Sequence, residues 1–180
     1  MGNIVFESDR LYFKEFEPID HKLIFDLNKD PDVTKFTGDP ISSIEQAEEV
    51  LLNVIIPQYK TYGFGRWAVY VRSTDNFIGW SGLKFLKESN EIDLGYRFMK
   101  PFWGKGYAGE AALATVRFGF EVKDLDEIIG RAVPQNIYSI KILQACGMEY
   151  FADTSCHGHD AATYRITKEM FKKIKNKINA

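Results

Sequence analysis

The stretch FMKPFWGKGYAGEAA, residues 98 to 112, sets three glycines as Gly104-x-Gly106-x-x-Gly109 directly ahead of an alanine-rich run. Backbone N–H groups freed at Gly104, Lys105, Gly106 and Tyr107, followed by a helix N-terminus, would seat an anion, and none of these four residues is acidic. Lys105 adds a mobile positive charge. The same glycines match the dinucleotide fingerprint, with Asp124 standing 20 residues past Gly104. A Rossmann first strand, however, is a continuous apolar run that enters its first glycine directly. Here Glu91, Asp93 and Arg97 alternate with Ile92, Leu94, Tyr96 and Phe98, and residues 99 to 103 intervene before Gly104. Too little chain follows for a doubly wound sheet, and no Walker G-x-x-x-x-G-K-[ST] occurs. The loop is expected to seat a pyrophosphate on a sheet of antiparallel origin.

Three further groups could do chemistry. Asn136 and Ser139, at i, i+3 spacing, share one face of a helix, where they also read as an N-cap and a first-turn residue. Glu91 and Asp93 share one face of a strand, as a base acting through water or as two carboxylates on a solvated face. Cys156, His157, His159 and Asp160 put three kinds of metal ligand within five residues, but hairpin tips collect polar residues anyway, and no metal is expected. Cys146, beside Gly147, reads as a small core residue at a helix end.

Regular elements must position these groups. RLYFKEF reads as an opening strand ending near Pro18. Two helical stretches follow, HKLIFDLNKD capped by Asp20 and IEQAEEVLLNVIIPQYKTYG opened by Ser42-Ser43-x-Glu45. RWAVYVR, FIGWSGLKFL and EIDLGYRFM, separated by STDN and KESN, form a three-stranded antiparallel meander. After the glycine loop, Ala108, Ala111, Ala112, Thr115 and Gly119 give one small-residue stripe, so this helix packs closely on a sheet. EIIGRAV is a strand, Asn136 caps IYSIKILQAC, and Gly147 supplies the left-handed stop. A hairpin, MEYFADTSC and ATYRIT, precedes a terminal helix KEMFKKIKNKI with its lysines on the solvated face. The expectation is a mixed α/β (α+β) layer fold with a largely antiparallel sheet of about seven strands and at least four flanking helices.

Bulk properties narrow the function. The 180 residues carry no linker or low-complexity break and read as one domain, 1–180. Apolar residues make up 45% and charged residues 27%, an ordinary globular composition. No apolar run is long enough for a membrane span, and MGNIVFESDR lacks the order of a signal peptide, so a cytoplasmic protein without a membrane partner is expected. A net charge of −2 gives no nucleic-acid footprint, although the C-terminal segment is basic. Two cysteines make neither a disulfide framework nor a zinc site.

DLGYRFMKPFWGKGYAGEA resembles the acyl-CoA loop of the GNAT N-acetyltransferases, in particular the RimJ/RimL-like branch. ESDRLYFKEF is similar to that branch's opening strand, DPDVTKFTGDP to its substrate-side helix turn, FIGWSGLKF to its third strand and NIYSIKILQACGMEY to its second cofactor motif. The resemblance implies acetyl-CoA as co-substrate and a primary amine as acceptor, joined by direct attack on the thioester without a covalent enzyme intermediate. Tyr96, Phe98 and Met99 would present backbone groups to the pantetheine arm, and Gly104, Lys105, Gly106, Tyr107 and Ala108 would hold the pyrophosphate. Trp103 stands where the family has Gln or Arg. Asn136 would hydrogen-bond the pantetheine, and Ser139 would lie near the thiol as proton donor to the leaving thiolate. Asp93 matches the branch's acidic position two residues before Gly95, with Glu91 beside it as the other candidate base. Phe36, Tyr62, Trp80 and His157 are expected at the acceptor pocket. A small-molecule amine and a protein N-terminus both remain open as acceptor, as do a monomer and a homodimer. A non-catalytic acyl-CoA-binding module is the alternative function.

Overall fold

A computed structural model describes residues 3–156 and 159–178. The chain runs β1 (Ile4–Glu7), β2 (Leu11–Glu15), a 3-10 turn (Pro18–Asp20), α1 (His21–Asn28), α2 (Pro31–Thr34), α3 (Ile44–Val50), a π turn (Leu51–Ile55) and α4 (Ile56–Tyr62). β3 (Arg66–Val71), β4 (Asn76–Leu86), β5 (Glu91–Phe98), a 3-10 turn (Lys100–Phe102) and α5 (Tyr107–Glu121) follow. The chain then continues as β6 (Glu127–Ala132), α6 (Ile137–Ala145), β7 (Glu149–Cys156), β8 (His159–Thr167) and α7 (Lys168–Ile178). All strands join one eight-stranded sheet of order β1-β2-β3-β4-β5-β6-β8-β7, antiparallel except between β5 and β6. The mixed fold is as expected. The extra strand is β1, a four-residue segment that pairs with β2 through an irregular register.

Alternation along the meander sorts the side chains onto two faces. Trp67, Val69, Leu83, Leu94 and Phe98 enter the larger core with Ala111, Ala112 and Val116 of α5, Leu143 of α6 and Phe171 of α7. Ala68 and Phe16 enter a second core with Ile24 of α1, Ala47 of α3, and Leu51 and Ile55 of the π turn. Burying one such large apolar side chain is worth about 1.5–3 kcal/mol, so both layers hold the sheet. The small-residue stripe of α5 lies on β4 and β5. A Cβ on Gly119 would come within 2.7 Å of the Ile128 side chain, and the hydroxyls of Ser81 and Thr115 meet at 2.8 Å in the buried seam.

The predicted helix from residue 44 is continuous but not uniform. It starts at its Ser43 cap, whose side chain accepts from the Gln46 N–H, and ends at Gly63 in the left-handed region, φ 70°. The π turn ends two residues before Pro57, which lacks the N–H needed for an ordinary helical turn.

Candidate active site

The site opens where the sheet splits. β5 pairs with β4 from Glu91↔Leu86 through Phe98↔Gly79, but its parallel pairing with β6 is confined to Asp93↔Ile129. Past Asp93 the two strands part, and that edge of β5 lacks a neighbouring strand. The gap belongs to a cleft of about 1530 Å³ lined by Asp93 to Phe98, by the glycine loop and by Asn136, Tyr138 and Ser139 at the start of α6.

The glycine loop closes one end. Gly104 (φ 73°) and Gly106 (φ 78°) occupy the left-handed region, which costs residues with a Cβ, and Gly106 is the N-cap of the fifteen-residue α5. Gly104, Gly106, Tyr107 and Ala108 reach the cleft wall, while Met99 and Lys105 do not. The Met99 N–H is bonded to the Ile78 carbonyl at 2.9 Å, and the Lys105 ammonium sits over the Phe102 ring, 5.4 Å from its centroid. Two of the groups expected to grip the cofactor are therefore engaged by the protein itself. Trp103, in place of Gln or Arg, donates its indole N–H to the Phe98 carbonyl at 2.7 Å and pins the loop to the end of β5.

A clamp that carries no sequence motif sits behind the loop. The turn between β1 and β2 brings Ser8 and Arg10 to Glu110, in the first turn of α5. The Ser8 hydroxyl donates at 2.7 Å, the Arg10 N–H at 2.8 Å and the Arg10 Nε at 2.6 Å. Burial would raise the Glu110 pKa, but these donors outweigh it and hold it below the usual carboxylate range. Arg10 also donates to the Lys105 carbonyl at 3.0 Å and lies over the Tyr107 ring. The only carboxylate in the first turn is thus neutralised, which leaves the helix N-terminus electropositive.

On the opposite wall, Asn136 caps α6 by accepting from the Ser139 N–H at 3.1 Å. The Ser139 and Tyr96 hydroxyls meet at 2.8 Å, and the Tyr96 hydroxyl is also 3.1 Å from the Ser139 carbonyl. Burial raises the Tyr96 pKa, so the phenol stays protonated at neutral pH. When Tyr96 donates to Ser139 Oγ, the serine proton is free to face the cleft.

Asp93 lies on the sheet's other face. Its side chain is about a quarter exposed, its Oδ1 has no hydrogen-bond partner, and the nearest cation is Arg131 Nη1 at 3.8 Å. Burial pushes its carboxyl up to about 6, against the pull of Arg131, Lys84 and Arg66. Glu91 differs. Burial would raise its pKa, but hydrogen bonds from Ser89 and from Arg131, the latter at 2.6 Å, hold it low. A carboxylate so engaged is a poor base, and Glu91 fits better as the support of Arg131.

Phe36 and Trp80 line the cleft. Tyr62 does not: its ring is taken up by Phe64 and Phe85, with centroids 6.0 and 5.1 Å away. The expectation for Tyr62 is corrected accordingly; an aromatic near a helix end served the core. His157 lies outside the described residues. Among the described residues no group of three or more His, Cys, Asp or Glu could hold a metal. Burial pushes the Cys146 thiol up to about 12, consistent with an inert core residue. No helix among the described residues is long and apolar enough to cross a membrane.

A sequence profile of the acetyltransferase (GNAT) domain matches residues 10–149. The chain is 28% identical over 145 residues to an uncharacterized N-acetyltransferase, p20, of Bacillus licheniformis, covering 79% of this chain and 80% of that one. It is 29% identical over 151 residues to the FsC-acetyl coenzyme A-N(2)-transacetylase of Aspergillus fumigatus, covering 76% of this chain and 62% of that one. The crystal structure of a GNAT-family acetyltransferase from Bacillus anthracis superposes with a TM-score of 0.76 at 23% identity, covering 91% of this chain and 98% of that one.

Proposed function

The chain belongs to the GNAT acetyltransferase family, and on that premise we propose that its cleft moves an acetyl group from acetyl-CoA to a primary amine, in the manner of the RimJ/RimL-like branch and in the cytoplasm. The observation that carries this reading is the parting of β5 from β6 past Asp93, which leads from the α5 N-terminus to the Tyr96–Ser139 pair. The residues fit the co-substrate. The loop offers amides beside a neutralised Glu110, and the open β5 edge offers main-chain groups to an extended amide-bearing arm.

Acetyl-CoA supplies the acetyl group as an activated thioester. In this reading Asp93, whose side chain lines the cleft and whose carboxyl burial pushes up, takes a proton from the amine through water. Ser139, backed by Tyr96, gives a proton to the departing sulfur on the other side of the strand and regains one from solvent, while Asp93 returns its proton to water. A carbon–nitrogen bond forms, a carbon–sulfur bond breaks, and no enzyme-bound acyl group is required.

The binding half is tested at Gly106. An Asp there adds a charge at the phosphate seat and strains φ 78°, and it should weaken CoA by a few kcal/mol in calorimetric titration while the protein stays folded. Unchanged affinity in a folded variant would remove the loop from the phosphate site.

A further inference from the structure

The charges around Asp93 are arranged in an order that the proposed chemistry does not by itself require. Lys84 stands directly opposite Asp93 in the pairing of β4 with β5, and Ile129 of β6 stands beside it on the other side. Arg131, two residues past Ile129, therefore shares that face and lies where β5 and β6 begin to part. Its side chain reaches back along β5. There Nη2 donates to Glu91 Oε2 at 2.6 Å, and Nη1 comes to 3.8 Å from Asp93 Oδ1. One guanidinium thus spans two carboxylates, bonded to the first and only close to the second.

That inequality bears on the proposed base. Asp93 Oδ1 is occluded, so the quarter of the side chain that is exposed belongs to its other atoms. A hydrogen-bonded ion pair with Arg131 would hold the carboxyl far down and make it a poor proton acceptor. With Arg131 gone, burial would prevail and the carboxyl would stay protonated over more of the neutral range. The observed spacing lies between these limits. Burial raises the Asp93 pKa; Arg131 of β6, Lys84 of β4 and Arg66 of β3 lower it, in that order of strength, and Glu91 on its own strand raises it, with the balance at about 6. Arg131 is the strongest of the three cations, and its hydrogen bond is kept for Glu91.

We propose that Arg131 is a positioning residue for acetyl transfer: held back by Glu91, it faces the occluded oxygen of Asp93 and leaves the other oxygen to the water that relays the amine's proton. It touches neither the amine nor the co-substrate in this role and acts through Asp93 alone. This rests on the reading of Asp93 as the base and supplies the reason a carboxylate in so buried a place is ionised near neutral pH. It also gives Glu91 a task other than proton transfer.

The test follows Asp93 directly, by carbon-13 NMR titration of its carboxyl in the CoA-bound full chain. Beside it runs the pH profile of kcat/KM, read by free-thiol release with the best acceptor among spermidine, an aminoglycoside and a peptide with N-terminal alanine. In Arg131→Met the NMR titration and the acid limb of kcat/KM should move up together from about 6, by about 1–3 pH units. Above the new limb the carboxylate is restored, so the top of the profile should change by less than about tenfold. Arg131→Lys keeps the charge and should bring both back towards the wild type. Arg131→Gln should give the same shift as Arg131→Met and serves where that variant does not fold, with CoA titration as the check on folding. An Asp93 titration left in place by the loss of the Arg131 charge would overturn the inference while leaving Asp93 as base. A titration that moves without the kinetic limb would overturn Asp93 as base, and the inference with it. Thiol release that no amine of the panel accelerates, from protein that binds CoA, would overturn both.

Discussion

At the scale of single residues, the proposed reaction divides its two proton tasks by strand alternation. Asp93 and Tyr96 are three apart on β5, so they fall on opposite faces of the sheet, one towards α1 and α3 and the other towards α6. Ser139→Ala should lower kcat by about 10²–10⁴-fold with little change in acetyl-CoA affinity, because its contribution grows only as charge builds on sulfur. Steady-state kinetics beside CoA titration measures this. Wild-type kcat in the variant would leave Ser139 a helix-turn residue and pass the proton task to Tyr96 or water. The local geometry of these residues was partly legible in the sequence. Asn136 was readable as a cap because Asn three residues before Ser139 has a local function, whereas the unequal fates of Glu91 and Asp93 depend on Arg131, forty residues away in the chain.

At the scale of elements, the glycine loop is held from behind. The β1–β2 turn reaches across roughly a hundred residues of sequence so that Ser8 and Arg10 grip Glu110. Glu110→Ala should remove three hydrogen bonds, leave Arg10 held to the loop only by its contacts to Lys105 and Tyr107, and lower stability by about 1–3 kcal/mol. In a chain of this size, thermal unfolding should then fall by a few degrees per kcal/mol, and CoA affinity should drop as the loop loosens. A variant with unaltered melting and unaltered CoA binding would make the clamp a surface ornament. The meander, α5, α6 and the final hairpin were legible because hydrophobic alternation, caps and turn residues sit within each segment. β1 was not. Four residues, IVFE, carry no period long enough to read, and their strand character comes from pairing with β2 and from the Phe6 ring stacked on Phe13 at 4.1 Å.

At the scale of the whole molecule, two cores of unequal size sit on either side of one sheet, and the site lies where the sheet fails to continue between β5 and β6. No local signal encodes that parting; it follows from β6 pairing with β8 on its far side while touching β5 at a single register position. In the proposed reaction an arm enters from the α5 end and an amine approaches from the α1–α3 face. The central claim is that this cleft transfers acetyl groups to amines with Asp93 as base. It is tested most directly by the pH dependence of amine-dependent thiol release from acetyl-CoA, with the acetylated amine identified by mass spectrometry. The deprotonated carboxylate is the active form and its pKa lies at about 6, so kcat/KM should rise with pH through that value and then level off in the wild type. Asp93→Asn should lose the limb near pH 6 and be slower by about 10²–10⁴-fold. Thiol release that no amine accelerates, or an Asp93→Asn variant with the wild-type rate and profile, would contradict the account.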